Sequence, residues 1–82
     1  GVGIARAVDH RDDEQVRALF DEIAATHGRL DVLVNNAIWI RDDLQQKPPF
    51  WRQEIGVFDA YHGVGLRSGY VAAVLAMPLL LK

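Results

Sequence analysis

Leu30-Asp31-Val32-Leu33-Val34-Asn35-Asn36-Ala37 is the stretch on which the reading of this chain turns. Its apolar run lacks clean polar alternation, which predicts a strand covered on both faces, as in parallel sheets built from βαβ units. The run then stops abruptly in two carboxamides. Each Asn side chain carries donors and an acceptor, so paired amides at the carboxyl end of a strand can bond both neighbouring backbone and a bound ligand. The same pair also suits an ordinary turn in which the side chains satisfy their own backbone. What surrounds the pair decides between the two.

Towards the amino terminus, Ile4 to Val8 are mostly small or β-branched apolar residues leading into Asp9-His10, which predicts a first short buried strand ending in a polar turn. Asp12 stands three residues before Gln15, a capping-box spacing that starts a helix. Val16, Leu19, Phe20, Ile23 and Ala24 form one apolar stripe at helical spacing, and Asp13, Glu14, Arg17, Asp21 and Glu22 face the other way. The acidic start of this helix suits the positive end of its dipole, so Arg11-Asp12-Asp13-Glu14 does not call for a metal. Gly28 supplies the left-handed residue that ends a helix, and Arg29 leads into the second strand, Leu30 to Val34.

Towards the carboxyl terminus, residues Ile38 to Gly56 hold Asp42-Asp43, Gln45-Gln46 and Pro48-Pro49, a long irregular stretch of the kind that usually has a task. Trp39 is expected to line a pocket, and Phe50 and Trp51 to pin the loop by packing. A long helix is expected from near Val57, with Pro78 bending or ending it. Gly63, Gly65 and Gly69 fall inside it at about 1 kcal/mol each relative to Ala, which predicts another backbone packed close.

Composition bounds the function. The 82 residues make one small domain at most, with 50% hydrophobic and 24% charged residues placing it among ordinary globular proteins. A formal charge of −2 with scattered Lys and Arg provides no basic stripe for nucleic acid and no cationic face for a membrane surface. The absence of Cys removes disulfides and thiol nucleophiles and fits a reducing cytoplasm. No apolar run is read as approaching the ~20 residues needed to span a bilayer, and no export signal is read. The chain opens Gly1-Val2-Gly3-Ile4 without Met and stops at Leu81-Lys82, so an internal stretch of a longer protein is expected.

Taken in order, the strand ending in Asp9, the capped helix with Val16-x-x-Leu19-Phe20, the run Gly28-Arg29-Leu30-Asp31-Val32-Leu33-Val34-Asn35-Asn36-Ala37 and the long last helix resemble the middle of a short-chain dehydrogenase/reductase. The resemblance covers nearly the whole chain, from the third strand through the fourth helix of that family. It implies an NAD(P)-dependent oxidoreductase moving hydride between a nicotinamide and a small carbonyl or alcohol substrate. It also implies that Asp9 meets the adenine amino group with His10 contributing backbone, and that Asn35, Asn36 and Ala37 lie along the cofactor as the family's Asn-Asn-Ala-Gly motif does. Ligands of open α/β sheets bind outside the carboxyl ends of the strands, where both matched groups would fall. Through the helix at 57–80 the resemblance further implies a homo-oligomer.

Two departures stand out. Ile38 occupies the motif's Gly position, and Gly65 aligns with the Asn that completes the family's catalytic tetrad. Neither Tyr61 nor Tyr70 is followed by Lys at the fourth residue, so neither is expected to act in proton transfer. Gly1-Val2-Gly3 and Gly63-Val64-Gly65 do not continue as dinucleotide fingerprints, and His10, His27 and His62 have no ligand spacing.

The expectation is therefore an α/β chain: a partial Rossmann fold of β-α-β-loop-α order, a parallel-sheet fragment, with residues 1–82 as part of one NAD(P)-binding domain. Its cofactor would be NAD or NADP, contacted by Asp9, His10, Asn35, Asn36 and Ala37, with no catalytic residue and no metal. The alternative is a non-catalytic small α/β binding or scaffold module.

Overall fold

Asp12 starts the first helix as its spacing requires. In the computed structural model, which describes residues 1–39 and 49–82, helix α1 runs Asp13–Thr26 and the Asp12 carboxylate accepts from Glu14 N and Gln15 N. The Gln15 side chain reaches back past the cap, its Oε1 accepting from Asp9 N at 2.8 Å while Nε2 donates to Asp12 Oδ2 at 3.2 Å. One glutamine thus fixes both the cap and the end of the preceding segment. Gly28 closes the helix at φ 74°, its N–H shared between Ile23 O and Ala24 O.

The rest of the regular structure is one long helical run. A short 3₁₀ turn, Phe50–Arg52, precedes α2 (Ile55–Ala60), which continues through a π-helical stretch, Tyr61–Arg67, into α3 (Ser68–Leu80). Pro78 sits inside α3 without ending it. A proline removes its own N–H and crowds the carbonyl four residues back, but it leaves the last turn able to close, as Leu81 N does on Met77 O at 3.0 Å.

The expected parallel-sheet fragment is not formed: the described residues contain no strand and no sheet. A strand exists only through backbone pairing with a neighbour, and the segments at 1–8 and 30–37 do not pair with each other. The second segment lies along α3 instead. Leu30 N donates to Leu79 O at 3.2 Å and Asn35 Nδ2 donates to Gly69 O at 3.3 Å, so the segment runs antiparallel to the helix. Five residues of extended chain span about 16 Å, and ten residues of helix about 15 Å. The two ties therefore match a nearly extended run.

This placement also corrects the expectation of a strand covered on both faces. Leu30 and Leu33 pack against the core, whereas Val32 and Val34 are 70% and 77% exposed. The run is covered at Leu30 and Leu33 and bare at Val32 and Val34.

The core lies between α1 and α3. Val16 and Phe20 meet Ala72, Ala76 and Leu79, with Val8, Ile23, Leu30, Leu33, Val71 and Leu75 partly buried around them. The small residues of α3 let the two helices approach, and Arg67 clamps their ends by donating from both terminal nitrogens to the Asp13 carboxylate at 2.8 Å each.

Three further expectations change. Nothing in the chain approaches within 4 Å of a Cβ built at Gly63 or Gly65, so those glycines do not mark close packing among the described residues. Phe50 and Trp51 pack edge-to-face on each other at 5.6 Å but stay exposed, so they do not pin the loop. Finally, Ile55–Leu80 is long and apolar enough, by length and composition, to cross a membrane. The sequence reading missed this by demanding an uninterrupted apolar run; Asp59 and Arg67 break the run without making it polar. The part of the long irregular stretch at 40–48 lies outside the described residues.

Candidate functional site

The residues proposed from sequence come together around two adjoining cavities. One, of about 260 Å³, is lined by His10, Val34, Asn35, Asn36, Ala37, Gly65 and Ser68. The other, of about 470 Å³, is lined by Val8, Asp9, His10, Arg11, Ala37, Ile38, Trp39 and Val64. His10 and Ala37 belong to both walls, with Asp9 lining the larger cavity and Asn35 and Asn36 the smaller.

Local chemistry explains each placement. Asp9 ends the first segment and accepts from Arg11 N at 2.9 Å, the side chain mimicking a turn. The Arg11 side chain completes a fork, Nε to Oδ1 and Nη2 to Oδ2, both at 3.2 Å. Hydrogen bonding from the Arg11 side chain, and then from its backbone N–H, holds the Asp9 carboxyl below the usual carboxylate range. Asp9 is therefore an ionised acceptor at neutral pH.

On the other side, Asn35 is fixed by its bond to Gly69 O, and its side chain lies 3.7 Å from where a Gly69 Cβ would stand. Ala37 supplies a short side chain where the cavities meet. Ile38 and Trp39 carry the wall onward.

Sequence reasoning missed part of this site. The resemblance engages His10 through its backbone only. Instead Nδ1 is buried without a hydrogen-bond partner among the described residues. A buried polar atom left open costs free energy that a ligand or water in the cavity would recover. Ser68 is another missed residue, buried in the wall with its hydroxyl donating to the Val64 carbonyl across the π-helical stretch. Gly65 stands in the same wall, where the family resemblance expects an Asn. The wide turns of a π-helix frequently accompany functional sites, and here they flank the cavity. Trp39 does line a cavity, as its position after the amide pair suggested.

The two walls together offer one ionised carboxylate, an open imidazole nitrogen, two carboxamides and an indole face. Among the described residues no group of three or more His, Cys, Asp or Glu side chains could hold a metal.

Comparison with known proteins agrees with the motif. A family model described as enoyl-(acyl carrier protein) reductase matches residues 1–82. Dehydrogenase/reductase SDR family member 1 of Homo sapiens is 35% identical over 75 residues, covering 88% of this chain and 24% of the relative. Its namesake in Mus musculus is 33% identical over 75 residues with the same coverage, so the chain spans about a quarter of the length of the curated relatives it matches. The chain belongs to the short-chain dehydrogenase/reductase family.

Proposed function

We propose that this chain supplies cofactor contacts to an NAD(P)-dependent oxidoreductase that moves hydride between a nicotinamide and a small carbonyl or alcohol. The observation that carries the reading is the convergence of Asp9 and His10 with Asn35, Asn36 and Ala37 on cavities that share a wall. The unpartnered His10 Nδ1 supports it, because a cofactor's polar groups would satisfy that atom.

In this reading the Asp9 carboxylate accepts from the ring amino group of the adenine. His10 closes the floor between the two cavities. The free carboxamide of Asn36 bonds the ribose, and Asn35 holds the wall by its tie to α3. The bound nicotinamide supplies the hydride chemistry. Tyr61 and Tyr70, each without a Lys four residues on, do not transfer the proton, so the 82-residue chain alone binds without turning over. The working protein is a cytoplasmic homo-oligomer that contacts itself through the helix at 55–80.

Equilibrium dialysis against NAD⁺ tests the reading. Losing one hydrogen bond of ~0.5–1.5 kcal/mol predicts that Asn36→Ala weakens NAD⁺ binding roughly two- to ten-fold. No oxidation of NADH by an aldehyde should accompany binding. Equal affinity in the variant, or turnover by the chain alone, contradicts the assignment.

A further inference from the structure

Arg11 has no part in the reading above, yet it joins the two halves of the rim. Its backbone N–H and side chain donate to Asp9 at the end of the first segment. Its guanidinium carbon lies 5.6 Å from the ring centroid of Trp39, beyond the second segment and within cation–π reach. These segments share no backbone ladder, so the Asp9–Arg11–Trp39 chain of contacts bridges a gap that the backbone leaves open.

We propose that Arg11 is a positioning residue that holds the Trp39 indole as the flat wall of the larger cavity, against which the planar ring of a nucleotide stacks. The proposal rests on the cofactor reading and specifies how that site grips an aromatic ring. Trp39 sits on irregular chain and is 47% exposed, so an unanchored indole would have to be ordered at the moment of binding. Fixing it beforehand removes that cost.

The arrangement leaves Asp9 competent. An ionised carboxylate offers about four acceptor positions, and Arg11 occupies three of them. The remaining position accepts an exocyclic amino group. A planar guanidinium can fork onto the carboxylate and lie against the indole at once, whereas an ammonium keeps the charge but not the fork.

The test uses the full chain carrying Trp51→Phe, which leaves Trp39 as the only indole. Titration with NAD⁺ should quench Trp39 emission saturably. Arg11→Met should shift the ligand-free emission to the red and weaken NAD⁺ binding roughly two- to five-fold, the factor equivalent to an exposed cation–π contact. Arg11→Lys, which keeps the charge but not the fork, should recover only part of both. With Trp39→Leu already present, Arg11→Met should cost nothing further in equilibrium dialysis. Arg11→Met matching its parent in emission and affinity overturns the proposal and leaves the cofactor reading standing, as does an equal loss when Trp39 is Leu. Absence of NAD⁺ binding by the unsubstituted chain overturns the cofactor reading, and the stacking with it.

Discussion

Gly69 is the point at which α3 meets the amide motif, since its carbonyl accepts from Asn35 and its Cα faces the Asn35 side chain. A methyl group there would rest 3.7 Å from Asn35, an ordinary contact. Gly69→Ala should therefore strengthen the helix by up to about 1 kcal/mol and leave the Asn35 bond intact. Gly69→Leu extends into the space that Asn35 occupies and should break it. Helical ellipticity at 222 nm, together with the Asn35 side-chain amide resonances, reads both outcomes; a Leu variant with unshifted Asn35 amides contradicts the contact. At this scale the sequence was legible wherever chemistry is local. The Asp12 cap and the left-handed Gly28 follow from neighbours within four residues. Arg11 and Ser68 were not legible as site residues, nor was the buried side chain of His10, because their surroundings are assembled from separate segments that no spacing rule links.

The two main helices are joined by charge as well as by the Val16, Phe20, Ala72 and Ala76 contact. Hydrogen bonding to Arg67 holds the Asp13 carboxyl below its ordinary value of 3.8, and Arg6 does the same for Glu22 against an ordinary 4.5. A carboxylate whose folded pKa is depressed contributes stability that is present above its unfolded pKa and lost as pH falls through the folded value. Helix content should hold from neutral pH down to about 4.5 and decline below it. Asp13→Asn should flatten that acid limb, whereas an unaltered acid profile in the variant contradicts the role of the Arg67 pair. α1 was legible from its stripe, and the long helix from its apolar recurrence. The second segment was read as a strand because an apolar run reports that burial is needed, not what supplies it. Leu30 and Leu33 found α3, and Val32 and Val34 found nothing.

The whole molecule is extended for its length. Its radius of gyration is 15.7 Å, against about 12 Å for a compact domain of this size. Val2, Ile4, Val32 and Val34 are exposed on segments whose backbone is unladdered, and Leu66, Tyr70, Val74 and Met77 line the outer side of the long helix. Apolar surface beside open backbone is a template for association. The isolated chain should therefore elute as concentration-dependent assemblies in size-exclusion chromatography and melt broadly; a concentration-independent monomer with a sharp transition would be the contrary result. The most direct test of the central claim, that the carboxylate and the amides serve one nucleotide, is a titration of the ¹⁵N-labelled chain with NAD⁺. The account predicts saturable shifts at residues 9–11 together with the Asn35, Asn36 and Ala37 signals, moving with a single affinity. Shifts at only one of these groups, or none at either, would contradict it.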